Sequence, residues 1–561
     1  MATITIRPTP QHCAAALADS GVHPLLARAY AARGIAGAAQ LDTALERLLA
    51  PDSMLNLARM AVLLADAIAA TQKLLIIADY DADGATACAV GLRALRAMKA
   101  NVDYLVPNRF EYGYGLTPEI VQLAAREKAP AVIITVDNGI ASVDGVAEAN
   151  RLGIRVLVTD HHLPGDTLPD AWCIINPNQH GCEFPSKHLA GVGVMFYLML
   201  ALRAELRRRG AAGLPNLAQL LDLVALGTVA DVVRLDDNNR ILVHQGLQRI
   251  RSGRAQPGII ALLRMAGRDP ARAGTHDLGF AAGPRLNAAG RLDDMSLGIE
   301  CLATDDVARA QSIARELDTL NRERRSIEAQ MQESALAALE QSADASGYTL
   351  SLYDSAWHPG VIGIVASRIK DRFHRPAVAF APGGDGEIKG SGRSIRGLHL
   401  RDALDLVSKR APGMILRFGG HAAAAGLTLR EDDFARFRTL FEDVVRGLLS
   451  PADLENEIET DGSLPVAHAT LDAAHALRDG IWGQGFPEPR YVDPFTILQQ
   501  RVVGERHLKL RLQREGKLFD AMLFGHSELL PGAIRAVYRF SVNEYNGTVS
   551  AQLLLDHWEP L

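Results

Sequence analysis

The chain has 561 residues, 48% hydrophobic and 22% charged, enough for about three to four domains, and its 49 Gly and 26 Pro are too few for collagen-like or disordered classes. No run of ~18 uninterrupted apolar residues exists to span a bilayer, and Met1 to Pro10 lacks a basic stretch followed by an apolar one, so no membrane association and a cytoplasmic location are expected. The formal net charge of −6 confines any nucleic-acid surface to a local patch, and five scattered cysteines (Cys13, Cys88, Cys173, Cys182, Cys301) without a C-x-x-C pair argue against disulfide frameworks and zinc ribbons.

Residues 1–50 are Ala-rich with helical spacing, as in a leading helical segment. From Leu74 the pattern becomes short apolar runs, LLIIA (74–78), VDYLV (102–106), AVIITV (131–136) and IRVLVT (154–159), separated by amphipathic stretches of helix length. This is the βαβ rhythm of a parallel sheet, and continuous rather than alternating apolar runs fit strands covered on both faces. A doubly wound α/β domain is expected over 51–302. Between Gly298 and Gly347 there is neither Gly nor Pro, and Ile313, Leu317, Leu320, Ile327 and Met331 mark one face. This spacing predicts one long helix or two end-to-end helices over 303–346, roughly 60 Å for forty residues, as a connector between lobes. Its Arg322, Arg324 and Arg325 read as a solvated charge run. Residues 347–450, with strand-like YTLSLYD and PAVAFAP runs and glycine turns, predict a second, mixed α/β domain. Over 451–561 the strictly alternating HLKLRL (507–512), the strand-like FDAMLFG and AVYRFSV, and the Asn546-Gly547 turn signal predict a small β-barrel or sandwich.

The chemistry lies in where the acids fall. Asp79, Asp81 and Asp83 follow LLIIA, Asp137 follows AVIITV, and Asp160-His161-His162 follow IRVLVT. Carboxyl ends of strands in an open parallel sheet converge on its ligand crevice. Carboxylates converging there would repel, and no Lys or Arg lies in these motifs, so divalent metal is the natural resolution. Hard carboxylates with imidazole and no thiolate favour Mn²⁺ or Mg²⁺ over zinc. Two ions sharing a bridging Asp would activate water and clamp phosphoryl oxygens, which makes phosphate-ester hydrolysis the leading expectation. DYDADG (79–84) opens like an EF-hand loop, but its twelfth position is Val90 and a strand precedes it. There is no P-loop, and GVGVMF (191–196) does not complete a dinucleotide fingerprint.

DYDADG, VDNGI (136–140), DHH (160–162) and GTVADVV (227–233) closely resemble the DHH phosphoesterase superfamily. With PNRFEYGYG (107–115), RLNAAGRL (285–292), SGRS (391–394) and GGHAAAAG (419–426), the likeness narrows to its RecJ family of single-strand-specific 5′-to-3′ DNA exonucleases, from about residue 50 to the C-terminus. The resemblance implies a parallel-sheet DHH domain, a long connector helix, a DHH-associated α/β domain (DHHA1) and a C-terminal OB-fold barrel. It implies Asp81 and Asp83 as metal ligands, Asp137 as the bridging ligand, His161 and Asp231 as further ligands, and Asp79, Asp160 and His162 completing the surroundings of two Mn²⁺ or Mg²⁺ ions. His162 is placed to contact the scissile phosphate or relay a proton. Many relatives carry His two residues before the first Asp, where this chain has Ile77, implying a weaker or more water-dependent first site. In the second lobe, across the cleft from the metals, Gly419 and Gly420 would let backbone approach phosphate, His421 would touch the reacting phosphate, and Arg393 with Ser391, joined by Arg109 from PNRF after the second strand of the first domain, would hold a DNA 5′-phosphate. Arg285, Asn287, Arg291 and Tyr114, with Tyr112, are further substrate contacts, and Lys509 and Arg511 of the barrel would track the DNA backbone. The implied partners are single-stranded DNA, single-strand-binding protein and a RecQ-type helicase, with the chain acting as a monomer. The alternatives are a small-substrate phosphoesterase of the same superfamily (nanoRNase-like), against which the OB tail argues, and a catalytically inactive DNA-binding scaffold.

Overall fold

The computed structural model describes residues 3–108, 112, 115–341, 347–545 and 547–561. Arg109 and Tyr114, and Asn546 of the hairpin signal, lie outside the described residues. Two compact units form, residues 6–318 with 459–561 and residues 1–5 with 319–458.

In the first unit the four apolar runs are strands of one parallel sheet. Its order is Val102–Leu105, Leu74–Ala78, Val132–Val136, Arg155–Thr159, and then Cys173–Ile175, which the sequence pattern did not single out because it is only three residues long. Leu75, Ile77, Ile133, Val156 and Val158 bury one face against Leu116, Ile120, Val121 and Val146. On the other face, Ile76 lies against Gly91 of the helix Ala82–Ala97, beside Met195 of Gly191–Arg208. Helices on both sides are why these strands read as unbroken apolar runs. Val102–Leu105, at the sheet edge, is only half-buried. Register is what places the chemistry: Ala78 pairs with Val136 and Val136 with Thr159, so the next residues, Asp79, Asp137 and Asp160, leave the sheet side by side. Their amides extend the ladder, donating to Val136, Thr159 and Ile175 carbonyls.

A helix Ser296–Ala303 is followed, after a three-residue break, by a 35-residue helix, Val307–Gln341. The break arises because Asp306 Oδ1 accepts from the Ala308 and Arg309 amides and starts a new helix. The long helix spans about 52 Å. Ile313, Leu317 and Met331 are buried as expected. Leu320 and Ile327 are only half-buried, because Asp318, Asn321 and Glu328 occupy the buried face between them. Arg324 departs from the solvated reading: it is half-buried, bonding Glu328 four residues on and Asn321 three back.

The second unit carries a mixed five-stranded sheet, ordered Ile415–Gly420, Ala424–Arg430, Glu387–Arg393, Ala377–Gly384, Leu350–Tyr353, with only the last pair parallel. Helices Leu400–Arg410 and Phe434–Arg446 cover one face through Leu404, Val407, Phe437 and Phe441. Ile362–Phe373 covers the other through Val365 and Ile369.

The C-terminal strands Tyr491–Val503, His507–Arg514, Lys517–Phe524, Ala533–Tyr545 and Thr548–Pro560 close into a barrel. Leu508, Leu510 and Leu512 point inward and are fully buried, which leaves Lys509 and Arg511 on the outer face with Arg501 directly opposite Lys509. Among the described residues no single helix is long and apolar enough to cross a membrane.

Candidate metal centre

Each acidic motif is fixed by the backbone around it. Asp81 caps the helix Ala82–Ala97, its Oδ1 accepting from the Asp83 and Gly84 amides at 2.9 and 3.0 Å. Asp83 is fully buried and accepts from the amides of Gly191 (2.6 Å) and Val192 (2.9 Å), the N-terminus of the helix Gly191–Arg208. Asp137 turns out of its strand in the left-handed region, φ +62°, a conformation costly for a residue with a Cβ and held here by its surroundings. Asp231 closes the helix Leu221–Ala230.

Asp160 orients the pair of histidines. Its Oδ1 accepts from the His161 and His162 amides and from His162 Nδ1 (2.8 Å), while Oδ2 accepts from the Ile140 amide. Asn176 and Asn178 donate to the carbonyls of His162 and His161 from the loop beyond Cys173–Ile175. The His161 ring is thereby aimed so that Nε2 lies 3.0 Å from Asp137 Oδ1, 3.5 Å from Asp231 Oδ2 and 4.0 Å from Asp83 Oδ2.

Burial, then the charge of Asp81, raises the Asp83 carboxyl above its ordinary value. Burial, then Asp83, Asp81, Asp231 and Asp79, raises Asp137, and Asp231 is raised in the same way. Burial also acts to raise Asp160, but the His162 hydrogen bond and the two histidine charges outweigh it and hold that carboxyl low. Burial acts to lower His162, yet the Asp160 hydrogen bond and charge, with Asp79 and Asp81, push it up to about 9. A cluster of carboxylates that resist ionisation together, aimed at one another, is the electrostatic form of a cation site.

The donors present fit divalent metal. Asp79, Asp81 and Asp137 offer oxygens within 4.8 Å of one another, Asp83, His161 and Asp231 form a second such group, and Asp137 with His161 and His162 a third that joins them. Asp137 Oδ1 is buried and accepts no hydrogen bond from the described residues. Among the described residues no Lys or Arg pairs with Asp83, Asp137 or Asp231. Oxygen and imidazole without thiolate suit Mn²⁺ or Mg²⁺. Ile77 contributes no ligand, being packed in the apolar core with Leu75.

Sequence reasoning passed over Gly191, whose amide holds Asp83. A Cβ there would stand 2.7 Å from Asp137 Cβ and 2.8 Å from its Oδ1. Gly191→Ala is therefore expected to displace the Asp137 carboxylate and lower metal affinity or activity about 10- to 100-fold, like other losses behind a metal ligand. Titrating activity against Mn²⁺ checks this, and a wild-type curve would contradict it.

The remaining sequence candidates fall in several places. Asn287 Oδ1 accepts from the Ala82 amide at 2.7 Å and so holds the first acidic loop. Arg285 bonds Asp318 and the Ala281 carbonyl, and Arg291 is half-buried in the same helix, Gly283–Leu292. Tyr112 packs against the sheet's apolar face. In the second unit, Arg393 is half-buried at the sheet end, donating to Ser391 Oγ and the Gly392 carbonyl, with no carboxylate paired to it among the described residues. A Cβ on Gly363, at the start of the helix Ile362–Phe373, would sit 2.9 Å from both Ser391 Oγ and an Arg393 nitrogen. His421 is exposed, following Gly420 at φ +137°.

The chain matches the DHH family, N-terminal domain, over residues 73–228, the DHHA1 domain over 346–447 and the RecJ OB domain over 460–557. It is 53% identical to the single-stranded-DNA-specific exonuclease RecJ of Dickeya dadantii, over 96% of each chain. Crystal structures of RecJ from Thermus thermophilus superpose over all of this chain: in complex with Mn²⁺ the TM-score is 0.83 at 31% identity, covering 79% of that chain. In complex with Mg²⁺ it is 0.78 at 29%, covering 78%. With the motif residues converging on one centre and the likeness running the length of the chain, this protein belongs to the RecJ family of single-stranded-DNA-specific exonucleases.

Proposed function

We propose that this chain is a metal-dependent exonuclease that hydrolyses single-stranded DNA from the 5′ end, releasing 5′-mononucleotides in recombination and repair. The observation that carries this is the shared position of Asp137, buried between two donor groups whose charges a bound cation would balance. When bound, Mn²⁺ or Mg²⁺ supplies activation of water and neutralisation of phosphoryl charge. Asp79, Asp81 and Asp137 would hold one ion, and Asp83, His161 and Asp231, with Asp137 shared between the two, the other. Asp160 fixes the His162 ring through Nδ1. With Nδ1 bonded to Asp160, Nε2 would contact the scissile phosphate or pass a proton to the leaving 3′-oxygen.

The half-buried Arg393, its neighbour Ser391 and the adjoining helix N-terminus form a receptor for a terminal phosphate. Such a receptor imposes polarity, because an internal phosphodiester cannot occupy it. Arg393→Ala is expected to weaken turnover of 5′-phosphorylated strands about 10- to 100-fold, the ~1.5–3 kcal/mol of charged hydrogen bonds. The discrimination between 5′-phosphate and 5′-hydroxyl ends should fall with it. Wild-type enzyme that treats the two ends alike would overturn the receptor. The outer barrel face with Arg501, Lys509 and Arg511 supplies backbone tracking. Monomeric action in the cytoplasm, with single-strand-binding protein and a RecQ-type helicase as partners, rests on the family likeness. The barrel weighs against a small-substrate phosphoesterase, and a donor set complete but for Ile77 weighs against an inactive scaffold. Strands labelled at either end separate the polarities: immediate mononucleotide release from a 5′ label is expected, and immediate release from a 3′ label would contradict it.

A further inference from the structure

The turn Leu278–Ala282 is π-helical, a geometry frequent at functional sites. It presents Phe280 to solvent with 74% of its surface exposed, the most exposed large apolar side chain of the protein's described residues. Leaving a phenylalanine in water forgoes about 2 kcal/mol of burial, so a ring held out and braced is a feature to explain. The brace is His276, whose imidazole stacks under Phe280 with centroids 4.7 Å apart and planes at 27°. Burial chiefly, with the nearby Arg268 and Arg539, lowers His276 below its ordinary value against the pull of Asp277, which favours the neutral imidazole that stacks as a π-surface.

The position of this pair gives its use. The turn lies against the last residues of the helix that ends in Asp231: a Cβ on Gly279 would approach Val229 Cγ1 to 3.2 Å, and one on Gly283 would approach Ala230 Cβ to 3.1 Å. Next in the chain, Val232 is 62% exposed with φ +61°, an outlier for a β-branched residue and a kind of strain that clusters at ligand sites. An exposed apolar step thus follows a proposed metal ligand in the chain, and the turn that bears the braced ring packs against the end of the same helix. The same rigid element continues into Arg285 and Asn287, so the platform and the acidic loop are positioned together.

We infer that Phe280, backed by His276, is a stacking platform for a nucleobase of the single strand beside the metal centre. This rests on the exonuclease reading and deepens it. Every base has a π-face, so stacking tolerates any sequence. A base in a duplex is already stacked and paired, so the platform favours single strands without reading sequence.

The test uses the full chain in EDTA with 5′-phosphorylated oligonucleotides carrying one 2-aminopurine at each of the first positions in turn. The wild type should quench the fluorophore at one position. Phe280→Ala should remove that quenching and weaken binding about 5- to 150-fold, and Phe280→Trp should restore both, whereas Phe280→Leu should not. A Phe280→Ala protein with the wild-type quenching profile and affinity, or a Leu variant equal to Trp, would overturn the platform. So would a dimer that dissociates in Phe280→Ala while DNA binding is unchanged, since the ring would then be a contact between copies. Absence of cleavage by the wild type in Mn²⁺ would sink the exonuclease reading, yet the quenching would still decide the platform.

Discussion

Asp137→Asn is expected to lower turnover of single-stranded DNA by about a thousandfold or more, ~4 kcal/mol of barrier, at saturating Mn²⁺. Among the described residues, Asp137 is the one carboxylate that belongs both with Asp79 and Asp81 and with His161 and His162. Its loss therefore removes a ligand from both sides of the centre. The fold should survive, because asparagine keeps the shape and accepts the left-handed backbone at φ +62° readily. In EDTA the melting temperature is expected not to fall, since the amide carries none of the charge that Asp83, Asp81, Asp231 and Asp79 resist. Turnover within tenfold of wild type would sink the bridging assignment.

Without metal, the contribution of the metal-centre residues to stability is expected to fall from about pH 4 to pH 9, and Mn²⁺ should reverse much of that fall. Asp83, Asp137 and Asp231 have carboxyls raised in the folded state. Such a group contributes its stability fully below the unfolded value near 4 and loses it as pH rises through the folded value. His162, pushed up to about 9 from 6.5, contributes fully below 6.5 and loses its share as pH rises through 9. The two effects run in the same direction. Asp160, held low, acts only on the acid side, its contribution disappearing as pH falls below about 4. Metal binds the ionised donors, so its stabilisation grows with pH, reaching ~2.7 kcal/mol at a hundredfold excess over Kd. Melting curves at pH 5, 7 and 9 in EDTA and in Mn²⁺ measure this, and a gap that narrows as pH rises would contradict the clustered carboxylates.

Much of this architecture was legible in the chain because apolar runs and strand ends obey local rules. Unbroken runs at 74–78 and 132–136 marked strands covered on both sides, and the acids after them marked the crevice. What stayed hidden depends on contacts distant in sequence. Gly191 and Val192 meet Asp83 from more than a hundred residues away, and nothing in GVGVMF announces that its amides are spent on a carboxylate. Asn287 and Arg285 show the converse. Polar residues in a distinctive motif read equally well as substrate contacts or as internal braces, and their bonds to Ala82 and Asp318 appear only in three dimensions. On the long helix, periodicity found Ile313, Leu317 and Met331, but could not foresee that Asp318, Asn321 and Glu328 would take buried positions by pairing with arginines or with one another's partners. Phe280 left no signal, since exposure is a property of the folded surface.

The most direct measurement is to incubate the purified protein with a 3′-labelled single strand and with its duplex, each bearing a 5′-phosphate, in Mn²⁺, Mg²⁺ or EDTA, and to follow product lengths. Progressive shortening of the single strand alone, in either metal and not in EDTA, is the expected result. Binding without cleavage in both metals, or digestion confined to very short oligomers, would contradict it.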